Sequence, residues 1–209
     1  EEKSDYTYNY SFDGLAVKTT TRFTYSADAL ISSATVRGQN GTVIKSETLY
    51  TGSEGDEKAQ KTYNYNYAGT EVVTTTSFIY TNDALSGSLT TRGMDGLVKK
   101  SETSYAGSEG EEKAQKTYNY NYAGTLVKTT TSFTYDAEVL KSSLTVKGAD
   151  GTVRKSQTFY SGNQGEEKSD YTYNYDAAGL NVKTTTRFTY AADTLNSSVT
   201  YKGANGTVR

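Results

Sequence analysis

The acidic loop Gly52-Ser53-Glu54-Gly55-Asp56-Glu57 is the densest cluster of groups able to do chemistry, and Glu109, Glu111 and Glu112 repeat it 55 residues later. Carboxylates gathered on a loop are hard oxygen donors of the kind that hold Ca²⁺. The third copy, Gly162-Asn163-Gln164-Gly165-Glu166-Glu167, carries fewer acids, and a lysine follows each time, at Lys58, Lys113 and Lys168. That composition favours a solvated loop with local ion pairing, in which each exposed pair contributes little. A carboxylate pair for glycoside hydrolysis needs a defined cleft, and a periodic array singles none out. His and Cys are absent from the chain, which removes the common zinc ligands and nucleophile–base pairs. The glycines match neither GxxxxGK[ST] nor a GxGxxG opening a helix, so they read as turn residues. No catalytic, cofactor-binding or metal residue is assigned, no cofactor is expected, and neither is an enzyme.

Two further patterns offer surfaces. The runs Thr19 to Thr21, Thr74 to Thr76, Thr129 to Thr131 and Thr184 to Thr186 suit flat hydroxyl rows of the ice-binding kind. Such rows need coils much shorter than this period, so cross-strand Thr pairing is the reading taken. Tyr occurs 20 times and has two readings: a ladder that stacks on glycans, or the apolar material of a core in a chain where Leu, Ile and Val are sparse. The core reading is taken. Asn9, Asn40, Asn196 and Asn205 open glycosylation sequons, two of them in turn sequences, and modification is not assumed.

The elements that must carry these residues are strands. Pro is absent, which suits backbone paired nearly everywhere, because Pro cannot donate to a ladder. Tyr, Thr, Val and Phe fit a pleated, half-buried surface. The formal charge is −2 with both signs interspersed, so the basic stripe of a nucleic-acid binder is missing. No apolar run reaches the length of a membrane span.

Four repeats of 55 residues cover the chain: residues 1–56, 57–111, 112–166 and an incomplete 167–209. Each opens on EKSDYTYNY or EKAQKTYNY and continues through VKTTTRFTY or a near copy. Alternation of period two marks four strands per repeat. In strand A, Tyr6, Tyr8, Tyr10 and Phe12 share a face opposite Asp5, Thr7, Asn9 and Ser11. In strand B, Val17, Thr19, Thr21, Phe23 and Tyr25 oppose Lys18, Thr20, Arg22 and Thr24. Strand C aligns Leu30, Ser32, Ala34 and Val36, and strand D aligns Ile44, Ser46, Thr48 and Tyr50.

Strands A and B are expected to present Tyr8, Tyr10, Val17, Phe23 and Tyr25 inward together. Asn40-Gly41, Asp95-Gly96, Asp150-Gly151 and Asn205-Gly206 predict two-residue hairpin turns between C and D, with positive φ at both residues. Gly14, Gly69, Gly124 and Gly179 mark the A–B turns. A half-period of 27 links Gly14 to Gly41 and Lys18 to Lys45, so each repeat reads as two related hairpins. The predicted fold is all-β: antiparallel hairpins forming a continuous spiral or tubular sheet. The alternative is a parallel β-solenoid, in which C and D stack on their own copies.

The stretch Tyr173-Asn174-Tyr175-Asp176-Ala177-Ala178-Gly179-Leu180 resembles the YD repeat of RHS-type proteins, where Tyr-Asp precedes a glycine turn in each hairpin. The other repeats carry Tyr10-Ser11-Phe12-Asp13-Gly14, Tyr67-Ala68-Gly69 and Tyr122-Ala123-Gly124, and the Arg that often follows the family's Gly is missing. The pattern is also similar to very long repeat proteins of bacterial surfaces. The resemblance implies a spiral sheet of adjoining hairpins that can enclose a shell.

The function expected is a structural segment of an extracellular or cell-surface fibre, rod or tube, with itself as partner. The alternatives are a glycan-binding adhesin module and a shell segment of an RHS-like toxin-encapsulating protein. Repeats one and four share EEKSDYTYNY and VKTTTRFTY, whereas two and three share EKAQKTYNYNYAGT. This implies a higher period of three repeats, and with it the expectation that the chain is an interior window on a longer polymer.

Overall fold

The computed structural model describes residues 2–204, so the expected Asn205-Gly206 turn lies outside the described residues. The first repeat forms β1 (Tyr6–Tyr10), β2 (Val17–Ser26), β3 (Ala29–Arg37) and β4 (Ile44–Thr51). The second forms β5 (Lys58–Tyr65), β6 (Val72–Thr81), β7 (Ala84–Arg92) and β8 (Lys99–Ala106). The third forms β9 (Lys113–Tyr120), β10 (Val127–Asp136), β11 (Val139–Lys147) and β12 (Arg154–Ser161). The fourth contributes β13 (Lys168–Tyr175), β14 (Val182–Ala191) and β15 (Thr194–Lys202). All fifteen stand in one antiparallel sheet in sequence order. β3 pairs with β4 and β11 with β12, both antiparallel, which excludes the parallel solenoid. Among the described residues no helix is long and apolar enough to cross a membrane.

The chain divides into two compact units, Glu1–Ser101 and Glu102–Arg209, the boundary falling inside β8. In the first unit the rows Thr7–Thr21–Thr35–Ser46–Asn64 run straight across the pairings of five strands. Asn64 stands two residues beyond Thr62, the repeat equivalent of Thr7. Each four-strand repeat is therefore staggered by two residues. In the second unit the row Thr117–Thr131–Thr145–Ser156–Asn174 has the same stagger.

The stagger comes from the unequal offsets of the successive hairpins; each registered pair also carries one β-bulge, and these cancel over four pairings. β1–β2 is offset at Lys18, β2–β3 at Ile31, β3–β4 at Lys45 and β4–β5 at Gln60. In the second unit Lys128, Lys141, Lys155, Asp170, Lys183 and Asn196 take the extra position. A bulge carries one unpaired residue and increases local twist. Most of these positions carry a polar side chain, which needs no cross-strand partner there; Ile31 is an apolar exception.

The bulges overturn the expected single aromatic face. Tyr8 pairs with Thr20 and Thr7 with Thr21, so Tyr6 and Tyr8 share a face with Thr20 and Arg22. Phe23 lies on the other face with Thr21, Ser33 and Thr48. Asp5, Asn9, Lys18 and Arg22 are exposed as expected, but Thr20, read on the same outward side of strand B, is buried, and Tyr10, read as inward, is exposed. The offset lies between strands. Tyr is not a deep core either: Tyr67 and Tyr122 are strongly exposed, and among the described residues only Val36 and Val72 are buried hydrophobics. Order instead comes from the ladder and from cross-strand pairs, each contributing about 0.2–1 kcal/mol.

Turn chemistry also departs from expectation. The two-residue turn with positive φ at both positions lies between strands B and C, at Ala27-Asp28 (46° and 70°), Asn82-Asp83 (49° and 67°), Ala137-Glu138 (43° and 70°) and Ala192-Asp193 (44° and 67°). These are type I′ positions, which match strand twist and which Ala fills under strain. Ala192→Gly is expected to stabilise the chain by about 0.5–1 kcal/mol, strain relief outweighing the entropy that glycine adds to the unfolded state. A rise in the midpoint of urea unfolding checks this, and an unchanged or lower midpoint contradicts it.

Candidate interaction surface

Strand polarity places the A–B and C–D loops on one rim of each unit, and the B–C turns and acidic loops on the other. At the first rim, the C–D connection is a six-residue loop, not a two-residue turn. Arg37 N–H donates to Val43 O at 3.0 Å and Lys147 N–H to Val153 O at 2.9 Å. The loop folds back over the middle residue of each Thr run. Thr20 Oγ1 donates to Gly38 O and Gln39 O, both at 2.7 Å. Thr130 Oγ1 donates to Gly148 O at 2.6 Å and Ala149 O at 2.8 Å. Thr185 repeats the contact with Gly203 O at 2.6 Å. Thr20, Thr75, Thr130 and Thr185 are accordingly the most buried side chains, with Thr185 at 0 % exposure.

Their neighbours do different work. Thr21 meets Thr35 at 2.9 Å, Thr76 meets Thr90 at 2.9 Å, Thr131 meets Thr145 at 2.8 Å and Thr186 meets Thr200 at 2.9 Å, hydroxyl to hydroxyl. Thr48–Thr62 and Thr158–Thr172, both 2.9 Å, add the same contact one hairpin away. The first Thr of the run accepts from Asn in strand A, as Asn9 Nδ2 to Thr19 Oγ1 at 3.2 Å. Cross-strand Thr pairing is thus observed.

The A–B loop is held by an oxygen acceptor at its first residue. Asn66 Oδ1 accepts from Thr70 N–H at 3.0 Å, Asn121 Oδ1 from Thr125 N–H at 3.0 Å, and Asp176 Oδ1 from Leu180 N–H at 3.0 Å. Ser11 Oγ accepts from Ala16 N–H at 3.0 Å in the first repeat. The equivalents of Tyr175-Asp176 are therefore Tyr65-Asn66 and Tyr120-Asn121, two residues before the Tyr-Ala-Gly strings that the motif resemblance picks out. Counting back three residues from each turn glycine finds them. Gly179 has φ +73°, and a Cβ there would stand 2.4 Å from Arg154 N of the preceding hairpin. Arg154 lies over the Tyr175 ring at 5.6 Å and Arg37 over Tyr67 at 4.5 Å.

At the second rim the acidic loops are structural clamps. Glu57 Oε1 accepts from Leu30 N–H at 2.9 Å and its Oε2 from Gly55 N–H at 2.9 Å. Glu167 does the same with Leu140 at 3.0 Å and Gly165 at 2.9 Å. The β3–β4 pairing stops at Ser32–Leu49, so the carboxylate replaces a ladder partner for Leu30. The lysines pair over a distance, not locally. Lys58 reaches Asp83 at 2.7 Å, Lys168 reaches Asp193 at 2.5 Å, and Lys113 pairs with Glu138. Each spans from the start of strand A to the B–C turn. Among the described residues no group of three or more acids is placed to hold a metal ion.

The N–H groups of Leu30 and Leu140 hold the carboxyls of Glu57 and Glu167 below the usual carboxylate range. The Lys168 ammonium does the same for Asp193, and the Lys61 ammonium for Asp95. A depressed folded value stabilises the fold above the unfolded value, near 4.3 for Glu, and that contribution is lost as pH falls through the folded value. The melting temperature should therefore drop below about pH 4. The Glu57→Gln/Glu167→Gln variant should show a shallower acid loss than the parent. Superimposable acid profiles would contradict the clamp.

Beside Lys113 the second unit has a cleft of about 440 Å³ lined by Gly107, Glu111, Lys113, Phe133, Tyr135 and Glu138. Two of its charged groups, Lys113 and Glu138, pair with each other. The first rim instead offers exposed apolar side chains at one recurring loop position: Phe12 at 97 %, Tyr67 at 85 % and Tyr122 at 84 %.

No protein-family model matches the chain, and no curated protein sequence matches it. Among solved structures it is similar to a porin-like protein from Bacteroides uniformis, with a TM-score of 0.32 and 9 % identity over 87 % of this chain and 86 % of that one. Likeness at that level carries no argument about function.

Proposed function

We propose that this chain is a structural segment of an extracellular or cell-surface fibre, rod or tube, in which a sheet of antiparallel hairpins is extended repeat by repeat and the partner is more of the same sequence. One observation carries the reading: the side-chain contacts between strands recur at equivalent positions in both units. Thr48–Thr62 and Thr158–Thr172 are the same contact, as are Glu57–Leu30 and Glu167–Leu140. Side chains of the repeats are thus committed to joining neighbouring strands. An array of this kind gains stability per unit and per interface. The RHS-type resemblance accords with a spiral or tubular sheet.

Chains of two, three, four and six repeats, unfolded in urea, test the proposal. Stability should rise by a constant step with each repeat. Stability independent of repeat number would overturn it. A second reading, a glycan-binding module, draws on the exposed Phe12, Tyr67 and Tyr122, since aromatic faces suit sugar stacking. Saturable binding on a glycan array, lost in Tyr67→Ala/Tyr122→Ala, would favour it.

A further inference from the structure

Strand D and the loop after it leave one cation and one acid over in each of the first three repeats. The strand begins on the first rim with an exposed lysine as its second residue: Lys45 in β4, Lys100 in β8 and Lys155 in β12. The loop that follows it on the second rim ends in two acids. The second of them is the clamp at Glu57 and Glu167. The first, Asp56, Glu111 or Glu166, is exposed. Its main chain closes the loop: Asp56 N–H donates to Ser53 O and Glu111 N–H to Ser108 O, both at 2.9 Å, and Glu166 N–H donates to Asn163 O at 3.0 Å. Among the described residues none of these three lysine and three acidic side chains enters an ion pair or a hydrogen bond.

Their positions explain why. Lys45 and Lys155 fall at bulges, and neither is registered against a residue of either neighbouring strand. The lysines next to the acids, Lys58, Lys113 and Lys168, are taken by Asp83, Glu138 and Asp193.

The surplus has opposite sign on the two rims. In the second unit the first rim carries Lys128, Lys147, Arg154, Lys155 and Lys183 against Asp150 and Asp176. The second rim carries Lys113 and Lys168 against acids in every loop, among them Glu111, Glu138, Glu166 and Asp193. The first unit has the same polarity, with Lys45 and Lys100 on the first rim and Glu54, Asp56 and Asp83 on the second. The lysine and the acid both recur once per four strands. A partner that matches lysines at that step must carry acids at the same step, and this chain carries them on its own opposite rim. Shape agrees with charge in the second unit. Tyr122 protrudes from the first rim, and the cleft at the second has Phe133 and Tyr135 in its wall.

We propose that the two rims bind each other between copies of this chain. The first rim of one copy docks on the second rim of the next, with Lys45, Lys100 and Lys155 meeting Asp56, Glu111 and Glu166. A contact between two different patches is heterologous and can continue from copy to copy. Complementary potentials fix partner and register more than affinity. This inference rests on the structural reading above and adds a second direction of growth: length comes from repeats within a chain, and width from rim contacts between chains.

Sedimentation velocity of the full chain over a range of concentrations tests it. Average mass should rise with concentration at about 0.1 M salt and fall back towards the monomer at about 1 M, where the screening length shrinks from about 10 Å to about 3 Å. The variants Lys45→Glu/Lys100→Glu/Lys155→Glu and Asp56→Lys/Glu111→Lys/Glu166→Lys each set like charges against each other. Each alone should associate about tenfold more weakly than the parent. Mixed in equal amounts they present opposite charges at both contacts, and the mixture should associate as the parent does. All the changed side chains are exposed, and unchanged midpoints of urea unfolding check that both variants fold. A parent that stays monomeric at every concentration overturns the proposal. Association undiminished by salt or by either variant also overturns it, because the contact then lies elsewhere, and so does a mixture no better than its components. Binding of the parent to vesicles of anionic phospholipid without self-association would give the first rim to a lipid surface instead. The stability series of whole repeats is intramolecular. If the rims fail to bind while the constant step holds, this contact is removed and the structural reading stands.

Discussion

Replacing Gly151 by alanine is expected to destabilise the chain by about 3 kcal/mol, near the upper range of single substitutions. The residue does not have positive φ. Its requirement is steric: a Cβ there would stand 1.6 Å from Lys147 O and 2.8 Å from Lys147 C. Both are backbone atoms at the end of β11, so neither can swing away. The loop must open, and opening uncovers Thr130. Gly148 in the same loop is a control of the opposite kind. Its φ is +76° and nothing lies within 4 Å of a Cβ built there, so Gly148→Ala should cost only about 1–2 kcal/mol of left-handed strain. Urea unfolding of the two variants gives the comparison. Equal costs would mean that the loop is not folded onto β11.

Thr130→Val is expected to cost about 1.5 kcal/mol, the upper end of the net worth of a neutral intramolecular hydrogen bond. Its hydroxyl donates to Gly148 O and Ala149 O, and the side chain is 3 % exposed. Valine fills the space and leaves both carbonyls without that donor. The adjacent Thr131 lies on the opposite face and bonds only Thr145 Oγ1 among the described contacts, at 2.8 Å. Thr131→Val should cost below about 1 kcal/mol, and Thr131→Val/Thr145→Val should be near neutral, because both partners are removed together. Amide exchange at Gly148 and Ala149 should rise in Thr130→Val and stay unchanged in the Thr131 variants. The reverse order would show that the flanking threonine, not the middle one, holds the loop.

Strand identity was legible in the residues because it is local. Alternation marks Tyr6, Tyr8 and Tyr10, and it marks Thr19, Thr21 and Phe23, correctly within each strand. Register between strands was not legible, because it is set by the unpaired Lys18, and a bulge leaves no mark in a pattern of period two. One residue of offset then moves Tyr8 from the face of Phe23 to the face of Thr20. The turns failed for a related reason. Asn40-Gly41 has the composition of a two-residue turn, yet the loop spends its glycine on close approach to Arg37 O, 1.7 Å from a built Cβ. Ala27-Asp28 lacks that composition and makes the turn, held by Lys3 on Asp28 at 2.9 Å. The clamp role of Glu57 was hidden because its partner, Leu30 N–H, is a backbone group 27 residues away. Composition on its own shows an acidic loop and nothing of its ladder-end acceptor.

The central claim is that the sheet extends by whole repeats through the same interface each time. Particle length in electron micrographs of chains carrying four, eight and twelve repeats measures it directly. Four strands at a spacing of about 4.8 Å add about 19 Å per repeat along the hydrogen-bonding direction. The account predicts growth along one axis by a constant step, at most about 19 Å per repeat and smaller where the sheet coils, with an unchanged cross-section. Particles that stay one length, or that become strings of separate beads joined by gaps, would contradict it.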